Sequence, residues 1–399
     1  MRTETGSPQH PRPLAGLRVV DFSRVLAGPF AGRMLSDLGA DVVKVEPPEG
    51  DVTRLWGEVR HGLSGFYTQQ NAGKRNVCLD LKTAPGVDLA ARLCAAADIV
   101  IENYRPGVFA RLGLSYDALA AANPGVVLLS ISGFGATGPD RSRPAYASVI
   151  QAESGLLSRQ AECDAAAPTD PVISLADMVA GLHGLVAVLA AVVLRAETGR
   201  GQWIDMSMLD AMLVTDDYAH HALDRSPLVR LGGEIWQTAG GPVLLAGDFR
   251  YIWRQVAATH HLVDPSPPGS GIPIKATARR AAIAGWLASF DRRADAIAAL
   301  DAANIAWADV RDHRAAFDRP AVEARGSAAS VDDRGGGLRR VAQSPYRFSA
   351  ATSGVRGPAP YRGEHNREVL HEWLGLDEAE VDAAARSGGL LAEDRPAPV

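Results

Sequence analysis

Short apolar runs alternate with helical patterns along residues 17–132. The apolar runs are rich in Val, Ile and Leu and predict buried strands. These strands lie at 17–22, 40–46, 76–81, 98–102 and 126–132. Helical patterns fill 28–38 and 86–97, with Pro29 near the start of the first helix and Gly39 just past its end. Alternation of this kind predicts an α/β fold with a parallel sheet, whose ligands bind beyond the carboxyl ends of the strands.

Further along the chain, the apolar stretch at 178–195 predicts a buried helix, because its length is marginal for a membrane span. A strand at 202–208 and a helix at 209–223 follow. Residues 224–275 are then rich in Gly and Pro, and 276–304 are Ala-rich and helical. The composition predicts a flexible tail at 1–13, a large domain at 14–225, a smaller α/β domain at 226–315, a linker at 316–345, and a return to the large domain by C-terminal helices within 346–399.

Composition narrows the class of protein. A chain of 399 residues exceeds the usual size of one core, so two domains are expected. The net charge of −5 and the low aromatic content give no sign of a nucleic-acid surface. Cys78, Cys94 and Cys163 are too scattered for a disulfide framework or a zinc site. Residues 1–13 are polar and lack the apolar core of a signal peptide, so we expect a cytoplasmic protein without a membrane partner.

Several familiar catalytic and cofactor motifs are absent from the sequence. The turn after the first strand, Asp21 to Pro29, lacks Gly-x-Gly-x-x-Gly, so we expect neither NAD nor FAD. There is no Walker loop, no His-Glu-x-x-His and no Gly-x-Ser-x-Gly. Two pairs of adjacent histidines, at 220–221 and 260–261, point neighbouring side chains apart, so we expect no metal site.

Basic residues recur at strand ends and helix starts, on the edge where a parallel sheet presents its ligand. They are Arg24, Arg33, Lys74, Arg75, Arg105 and Arg111. Taken singly, each is more simply explained as a solvated surface charge. Together at one sheet edge they favour a site for the phosphates of a nucleotide-like ligand.

Asp177 stands at the start of the long apolar helix, after the short apolar run 171–176. An acid in a first helical turn is commonly a cap that complements the helix dipole. The same position lowers the pKa of a carboxylate and keeps it ionised, as a nucleophilic carboxylate requires. Taken alone, the residue favours the cap over the catalyst.

Long motifs in the same order along the chain change that balance. They are LRVVDFSRVLAGPFAGRMLSDLGADVVKVE (17–46), NAGKRNVCLDL (71–81), IENYRPGVFARLG (101–113), SGFGATGP (132–139), SLADMVAG (174–181), ETGRGQWIDMSMLDA (197–211), PYRFS (345–349) and GEHNREVL (363–370). In these motifs the chain resembles the class III CoA-transferase family, which includes formyl-CoA transferase, carnitine CoA-transferase and the α-methylacyl-CoA racemases. The resemblance is strong over 14–220 and moderate over 305–390.

The resemblance implies a Rossmann-like large domain that binds coenzyme A and an interlocked homodimer. It implies an acyl-CoA donor and a carboxylic acid acceptor as substrates, and no metal or redox cofactor. It also implies that Asp177 is the catalytic residue that carries the acyl group. By the same matching, the residues that would face CoA are Val25, Leu26, Ala27, Arg33, Lys74, Arg75, Asn103, Tyr104 and Arg111.

The mechanism implied by the resemblance is covalent. Asp177 attacks the donor thioester to give an acyl–aspartyl anhydride, and the CoA thiolate returns to give an aspartyl-CoA thioester, which the acceptor carboxylate attacks. The racemases of the family use this aspartate as an acid/base beside a histidine, and here Tyr146 occupies the histidine position. Because tyrosine is a poor base at neutral pH, the sequence favours the transferase over the racemase.

Two departures from the family pattern remain. Leu26 is apolar where some formyl-CoA transferase-like members carry a glutamine that touches the acyl group, which suggests a different acyl substrate. The glycine-rich lid loop of the family has only weak counterparts in the doublets at 232–233 and 240–241. A third interpretation is therefore a CoA-binding protein without turnover. Arg24, Arg143 and His183 are further candidates to face a substrate carboxylate, although surface charge or a helix-face histidine is the simpler interpretation of each.

Overall fold

The computed structural model describes residues 10–228 and 232–393, which fall into two compact units. Unit 1 combines residues 1–226 with 321–399, and unit 2 is the intervening segment 227–320. The strands are β1 (Arg18–Asp21), β2 (Asp41–Glu46), β3 (Val59–Arg60), β4 (Leu63–Ser64), β5 (Arg75–Leu79), β6 (Ile99–Glu102), β7 (Val127–Ser132), β8 (Trp203–Ser207), β9 (Glu234–Thr238), β10 (Gly241–Ala246), β11 (Ala306–Asp309), β12 (Ala328–Asp332), β13 (Leu338–Ala342) and β14 (Leu390–Leu391).

The helices follow the same chain numbering. They are α1 (Ala27–Asp37), α2 (Gly65–Asn71), α3 (Ala84–Ala95), α4 (Val108–Arg111), α5 (Tyr116–Ala122), α6 (Ala147–Glu153), α7 (Leu156–Asp164), α8 (Leu175–Thr198), α9 (Met208–Thr215), α10 (Ala219–Leu223), α11 (Phe249–His260), α12 (Ile272–Ala288), α13 (Arg293–Ala302), α14 (Pro320–Ala324), α15 (Asn366–Leu374) and α16 (Glu378–Arg386). Short 3₁₀ turns cover Val52–Leu55 and His313–Ala315.

A seven-stranded sheet organises unit 1, in the order β14-β5-β2-β1-β6-β7-β8. All its pairings are parallel except that of β14, which runs antiparallel to β5. Both faces are buried along β1, β2, β5 and β6, as the continuous Val/Ile/Leu runs predict, whereas the edge strand β8 is partly exposed. Alternate residues of β1 illustrate this: Val19 packs in a core with helices α1 and α8, and Val20 in a core with α3 and α15. The α/β fold with a mostly parallel sheet is confirmed.

Helix α8 passes over this sheet and has two different faces. Its inner face is buried, and Gly184 allows close contact with the side chain of Leu129 on β7. Its outer face exposes Leu182, Val186 and Val193. By length and composition α8 is apolar enough to cross a membrane, but the packing of its inner face is that of a core helix.

Unit 2 has a three-stranded antiparallel sheet, in the order β11-β10-β9, with helices α11, α12 and α13. Its own core includes Val243, Leu245, Trp253, Ile283 and Leu300. The helical pattern at 276–304 corresponds to α12 and α13, which break at the Ser289–Arg292 segment.

The segment 316–345 differs from the linker that the sequence pattern suggested. It contains α14 and a two-stranded hairpin, β12 and β13, in which Val331 and Val341 face inward and are buried. The glycines at 335–337 belong to the turn of this hairpin. Of the expected tail, residues 1–9 lie outside the described residues. Arg12 is packed, because its guanidinium donates to the carbonyl oxygens of Asp37 and Gly354.

Candidate active site

Asp177 lies in the first turn of α8 and is half-buried. Its carboxylate oxygen Oδ1 accepts a hydrogen bond of 3.3 Å from the backbone N–H of Ala27, at the start of α1. The beginnings of two helices therefore meet at this carboxylate. A backbone N–H beside a carboxylate that reacts is also a donor for an oxyanion that forms there.

Glycine allows α8 to approach α1 this closely. Gly181 lies one turn beyond Asp177 on the same face of the helix. A Cβ atom at Gly181 would stand 2.6 Å from the carbonyl oxygen of Ala27 and 3.0 Å from Cδ1 of Phe30, so any side chain would push the two helices apart. The sequence Asp-x-x-x-Gly thus places the carboxylate and the close contact on one face.

The turn between β1 and α1 holds the Ala27 N–H in place. Val25 has a φ of 68°, a left-handed conformation that is unfavourable for a β-branched residue. Its N–H donates to Oδ2 of Asp51 at 3.2 Å. The neighbouring Arg24 exchanges two hydrogen bonds of 2.8 Å with the side-chain amide of Asn103, one from each partner's N–H. The turn is therefore fixed from two sides in a strained conformation.

Buried charges lie beneath the turn. Lys74 Nζ donates to the carboxylate of Asp21, to the amide oxygen of Asn71 and to the carbonyl of Pro29, at 2.8–2.9 Å. Burial lowers the pKa of Lys74 to about 8, against the charge of Asp21. Lys44 Nζ donates to the carbonyl of Ser23 and pairs with Asp51 at 3.2 Å. The network braces the turn from inside the protein.

Burial raises the pKa of Asp177 to about 6, and the hydrogen bond from Ala27 opposes this rise only in part. The sequence had suggested the opposite direction, because a free helix start lowers the pKa of a carboxylate. The difference has a structural reason: burial penalises the charged form by more than the single N–H of Ala27 stabilises it. Asp177 is still mostly ionised at neutral pH.

A cavity of about 640 Å³ lies against one face of β7 and β8, beside Glu102 at the carboxyl end of β6. The residues that line it include Glu102, Tyr104, Arg111, Asp117, Ser132, Arg141 and Asp205. Burial raises the pKa of Glu102 to about 7, although the Ser130 hydroxyl and the Tyr104 N–H bond to it. The Ser132 hydroxyl is buried and has no hydrogen-bond partner within residues 10–228 and 232–393. The lining of the cavity thus carries charges of both signs, with Arg111 and Arg141 beside Glu102, Asp117 and Asp205.

The cavity and the strained turn are connected. The guanidinium of Arg24 lies over the ring of Tyr104, 5.5 Å from its centroid, and the adjacent Asn103 holds the backbone of Arg24. The carboxylate of Asp177 is joined to the same turn through Ala27. Asn103 and Tyr104 therefore link the turn that bonds Asp177 to the lining of the cavity.

The model of CoA-transferase family III matches residues 14–366. The chain belongs to CoA-transferase family III. Succinate–glutarate CoA-transferase of Agrobacterium fabrum is 33% identical over 393 residues, which cover 92% of this chain and 97% of that protein. Succinyl-CoA–D-citramalate CoA-transferase of Chloroflexus aurantiacus is 30% identical, covering 94% and 97%. The crystal structure of a CaiB/BaiF family protein from Brucella suis matches with a TM-score of 0.78 and 31% identity, covering 92% of this chain and all of that one.

A member of CoA-transferase family III is an enzyme that moves CoA between an acyl-CoA and an acid, with a CoA thioester as co-substrate. Most of the residues expected to face CoA lie together in this chain. Those at the strained turn or beside it are Val25, Leu26, Ala27 and Asn103, and those at the cavity are Tyr104 and Arg111.

The remaining residues of that expectation, Arg33, Lys74 and Arg75, are engaged within the protein. Arg33 donates from all three of its nitrogens, to Asp37 and to the carbonyls of Gln69 and Ala342. Lys74 uses all three of its N–H groups, as described above. Arg75 pairs with Asp41, Glu368 and Glu372. These contacts support the turn and the sheet, and none of the three residues lines the cavity.

Several other residues considered from the sequence are exposed or bonded to other side chains. Tyr146, at the position of the racemase histidine, is 71% exposed at the start of α6. Arg143 pairs with Glu153 at 2.6 Å, and His183 bonds to the hydroxyl of Thr215 at 2.8 Å. The sequence analysis missed Glu102, Ser132 and Arg141, although the first two end strands of the parallel sheet and that position was the available signal.

Proposed function

We propose that Asp177 is the covalent nucleophile of an acyl-CoA:carboxylate CoA-transferase. The observation that carries the proposal is the hydrogen bond from the Ala27 N–H, at the start of α1, to this half-buried carboxylate. A carboxylate with a pKa of about 6 is ionised at neutral pH and keeps more basicity, hence more nucleophilic strength, than an ordinary aspartate.

The proposed reaction has four balanced steps. An Asp177 oxygen forms a bond to the thioester carbonyl carbon while the C–S bond breaks, which gives an anhydride and the CoA thiolate. The thiolate attacks the aspartyl carbonyl and releases the donor acid, leaving an aspartyl-CoA thioester. The acceptor carboxylate attacks that thioester and releases the thiolate again. The thiolate then attacks the acceptor carbonyl, which gives the new acyl-CoA and regenerates Asp177.

Each step forms an oxyanion on the carbonyl under attack. We propose that the Ala27 N–H, which points at Asp177 in the resting enzyme, donates to the oxyanion formed on the aspartyl group. The strained turn at Val25 keeps this donor oriented before the substrate arrives. Because an anhydride hydrolyses readily, the half-buried position of Asp177 also limits the access of water.

We propose that CoA lies along the turn and in the cavity, in contact with Val25, Leu26, Ala27, Asn103, Tyr104 and Arg111. Arg111 and Arg141 are suited to its phosphates. The names of the relatives support dicarboxylic acids, such as succinate or glutarate, as the first substrates to test. On the family resemblance we also propose an interlocked homodimer in the cytoplasm that needs neither a metal nor NAD or FAD, and the exposed apolar face of α8 supports the dimer.

The test is mass spectrometry after incubation with a panel of acyl-CoA donors, beginning with succinyl-CoA, followed by hydroxylamine. We expect a hydroxamate on the peptide that contains Asp177, absent in Asp177→Ala and retained in the control Asp210→Asn. Asp210 is the matched control because it is also an acid in a first helical turn, that of α9. Deuterium exchange at the α-carbon of a 2-methylacyl-CoA without any adduct would reject the transferase mechanism in favour of the racemase.

A further inference from the structure

The start of α8 is capped by a residue from a different helix. Within the described residues, Ser174 at the N-cap position makes no side-chain capping bond. Instead Oε1 of Gln151, on α6, accepts hydrogen bonds from the N–H groups of Leu175 at 2.7 Å and Ala176 at 3.4 Å. The N–H of Leu175 also contacts the carbonyl of Ile173 at 2.9 Å. The first turn that carries Asp177 is therefore attached to α6 through one buried side chain.

The orientation of the Gln151 amide is defined by a third residue. Its nitrogen Nε2 donates to Oδ1 of Asp170 at 2.7 Å. A carboxylate only accepts hydrogen bonds and a backbone N–H only donates them, so a flipped amide would lose the bonds on both sides. Gln151 is almost fully buried, at 1% exposure, which makes the loss of a partner costly. Asp170 thus keeps the amide oxygen directed at α8.

We propose that Gln151, oriented by Asp170, is a positioning residue that fixes the first turn of α8 so that Asp177 faces the Ala27 N–H. The inference rests on the proposed role of Asp177 as nucleophile. Two attachments then define the place of the reacting carboxylate: Gly181 sets how closely α8 approaches α1, and Gln151 sets where its first turn begins. Reactions of this kind are sensitive to such placement, because a displacement of about 1 Å can cost about a hundredfold in rate.

Interchanging the amide and the carboxylate between positions 151 and 170 tests the inference. Gln151→Glu sets a carboxylate against Asp170, and we expect the repulsion to open the contact and lower the rate at which Asp177 is acylated by about tenfold or more, with KM changed less than about twofold. In the double variant Gln151→Glu/Asp170→Asn, the new amide at position 170 donates to the new carboxylate at position 151, which still accepts from α8. We expect this variant to recover to within about threefold of the wild-type rate.

The matched control is the exposed pair Gln160–Asp164 on α7, which has the same amide-to-carboxylate bond at 2.6 Å. Gln160→Glu should leave the acylation rate unchanged. Hydrogen exchange of the peptide 171–178 gives a second readout that does not require activity. Protection of the Leu175 and Ala176 amides should fall in Gln151→Glu and return in the double variant.

The outcomes separate the two proposals. Acylation of the wild type together with an unchanged rate in Gln151→Glu overturns the positioning role, as does an equal loss in the single and double variants. If the wild type itself forms no adduct, the proposed function fails. The positioning role then fails with it, even if the protection of the Leu175 and Ala176 amides falls in the single variant and returns in the double variant. Loss in the single variant with recovery in both rate and protection in the double supports the inference.

Discussion

A Cβ atom on Gly181 would stand 2.6 Å from the carbonyl oxygen of Ala27. The absence of a side chain at this one position lets the helix of the nucleophile lie against the turn that supplies its N–H donor. Helix packing and the geometry of the active site are therefore set by the same contact.

Gly181→Ala should separate α8 from α1 and move Asp177 away from the Ala27 N–H. We expect a loss of stability of about 1–3 kcal/mol from overpacking, and a fall in the acylation rate of at least about tenfold. The matched control is Gly285→Ala on α12, where a Cβ atom meets nothing within 4 Å. That variant should be neutral or more stable by about 0.5–1 kcal/mol. Denaturant unfolding and single-turnover acylation measure both effects, and normal acylation in Gly181→Ala would contradict the role assigned to the contact.

The acylation rate should depend on the ionisation of Asp177. Because its pKa is raised to about 6, the nucleophilic form is lost as the pH falls through that value. Single-turnover acylation should therefore decline below about pH 6 with the slope of one proton. A decline centred near the ordinary aspartate value of 3.8 would show that burial does not control this group.

The same raised pKa has a consequence for stability. The protonated form of Asp177 stabilises the fold below its unfolded pKa of 3.8, and this contribution is lost as the pH rises through about 6. Asp177→Asn should therefore be more stable than the wild type at pH 7, by about 1–3 kcal/mol at most after allowance for partial exposure. Urea unfolding at pH 5 and pH 7 should show the difference shrinking at the lower pH, and equal stability at pH 7 would argue against the burial of charge.

The affinity for CoA should depend on the ionisation of the buried Glu102. Its pKa of about 7 means that the lining of the cavity gains a negative charge as the pH rises from 6 to 8. Since Arg111 and Arg141 line the same cavity, the added charge acts against an anionic ligand that these two residues would hold. We expect calorimetric CoA binding to weaken by about threefold to tenfold between pH 6 and pH 8. In Glu102→Gln the dependence should become much smaller, and an equally steep dependence would remove Glu102 as its cause.

Substitutions of Arg111 and of Lys74 should have different effects, one on CoA binding and the other on stability. Lys74→Met leaves Asp21 buried beside one cation fewer, and we expect a loss of stability of about 3–5 kcal/mol. Arg111→Met removes an exposed charge at the cavity wall, and we expect CoA binding to weaken by about tenfold while the melting temperature is kept. Thermal melting and CoA titration of both variants separate the roles. A folded Lys74→Met with weak CoA binding would restore the direct contact that the sequence suggested.

The sequence predicts local elements and the site residues near them. The apolar runs mark the parallel strands β1, β2, β5, β6, β7 and β8, and the motif around Asp177 marks the start of α8. Long-range partners escape such reasoning, because periodicity carries no information about them. Gln151 precedes α8 by a helix and a loop, so its capping role is visible only in three dimensions. Lys74 carries the composition of a ligand-binding cation, and only the fold shows it enclosed by Asp21 and Asn71.

The hairpin β12–β13 was likewise not predicted from the sequence, which affected the predicted domain organisation. A glycine-rich turn between two strands has the composition of a linker, and the inward-facing Val331 and Val341 are too few to reveal the strands. The edge strand β14 is shorter still, with two residues paired to β5, and no pattern in the sequence marks it.

The edge strand β14 affects how the chain folds during its synthesis. Unit 1 is built from two segments that flank unit 2, and β14 covers β5 only after the rest of the chain has been synthesised. The N-terminal segment therefore leaves the ribosome with one side of its sheet open, and unpaired strand edges are prone to aggregation. Unit 2, by contrast, comes from one continuous stretch and can complete its own core during translation. Stalled or truncated products of this gene should accumulate as aggregates with an uncovered β5.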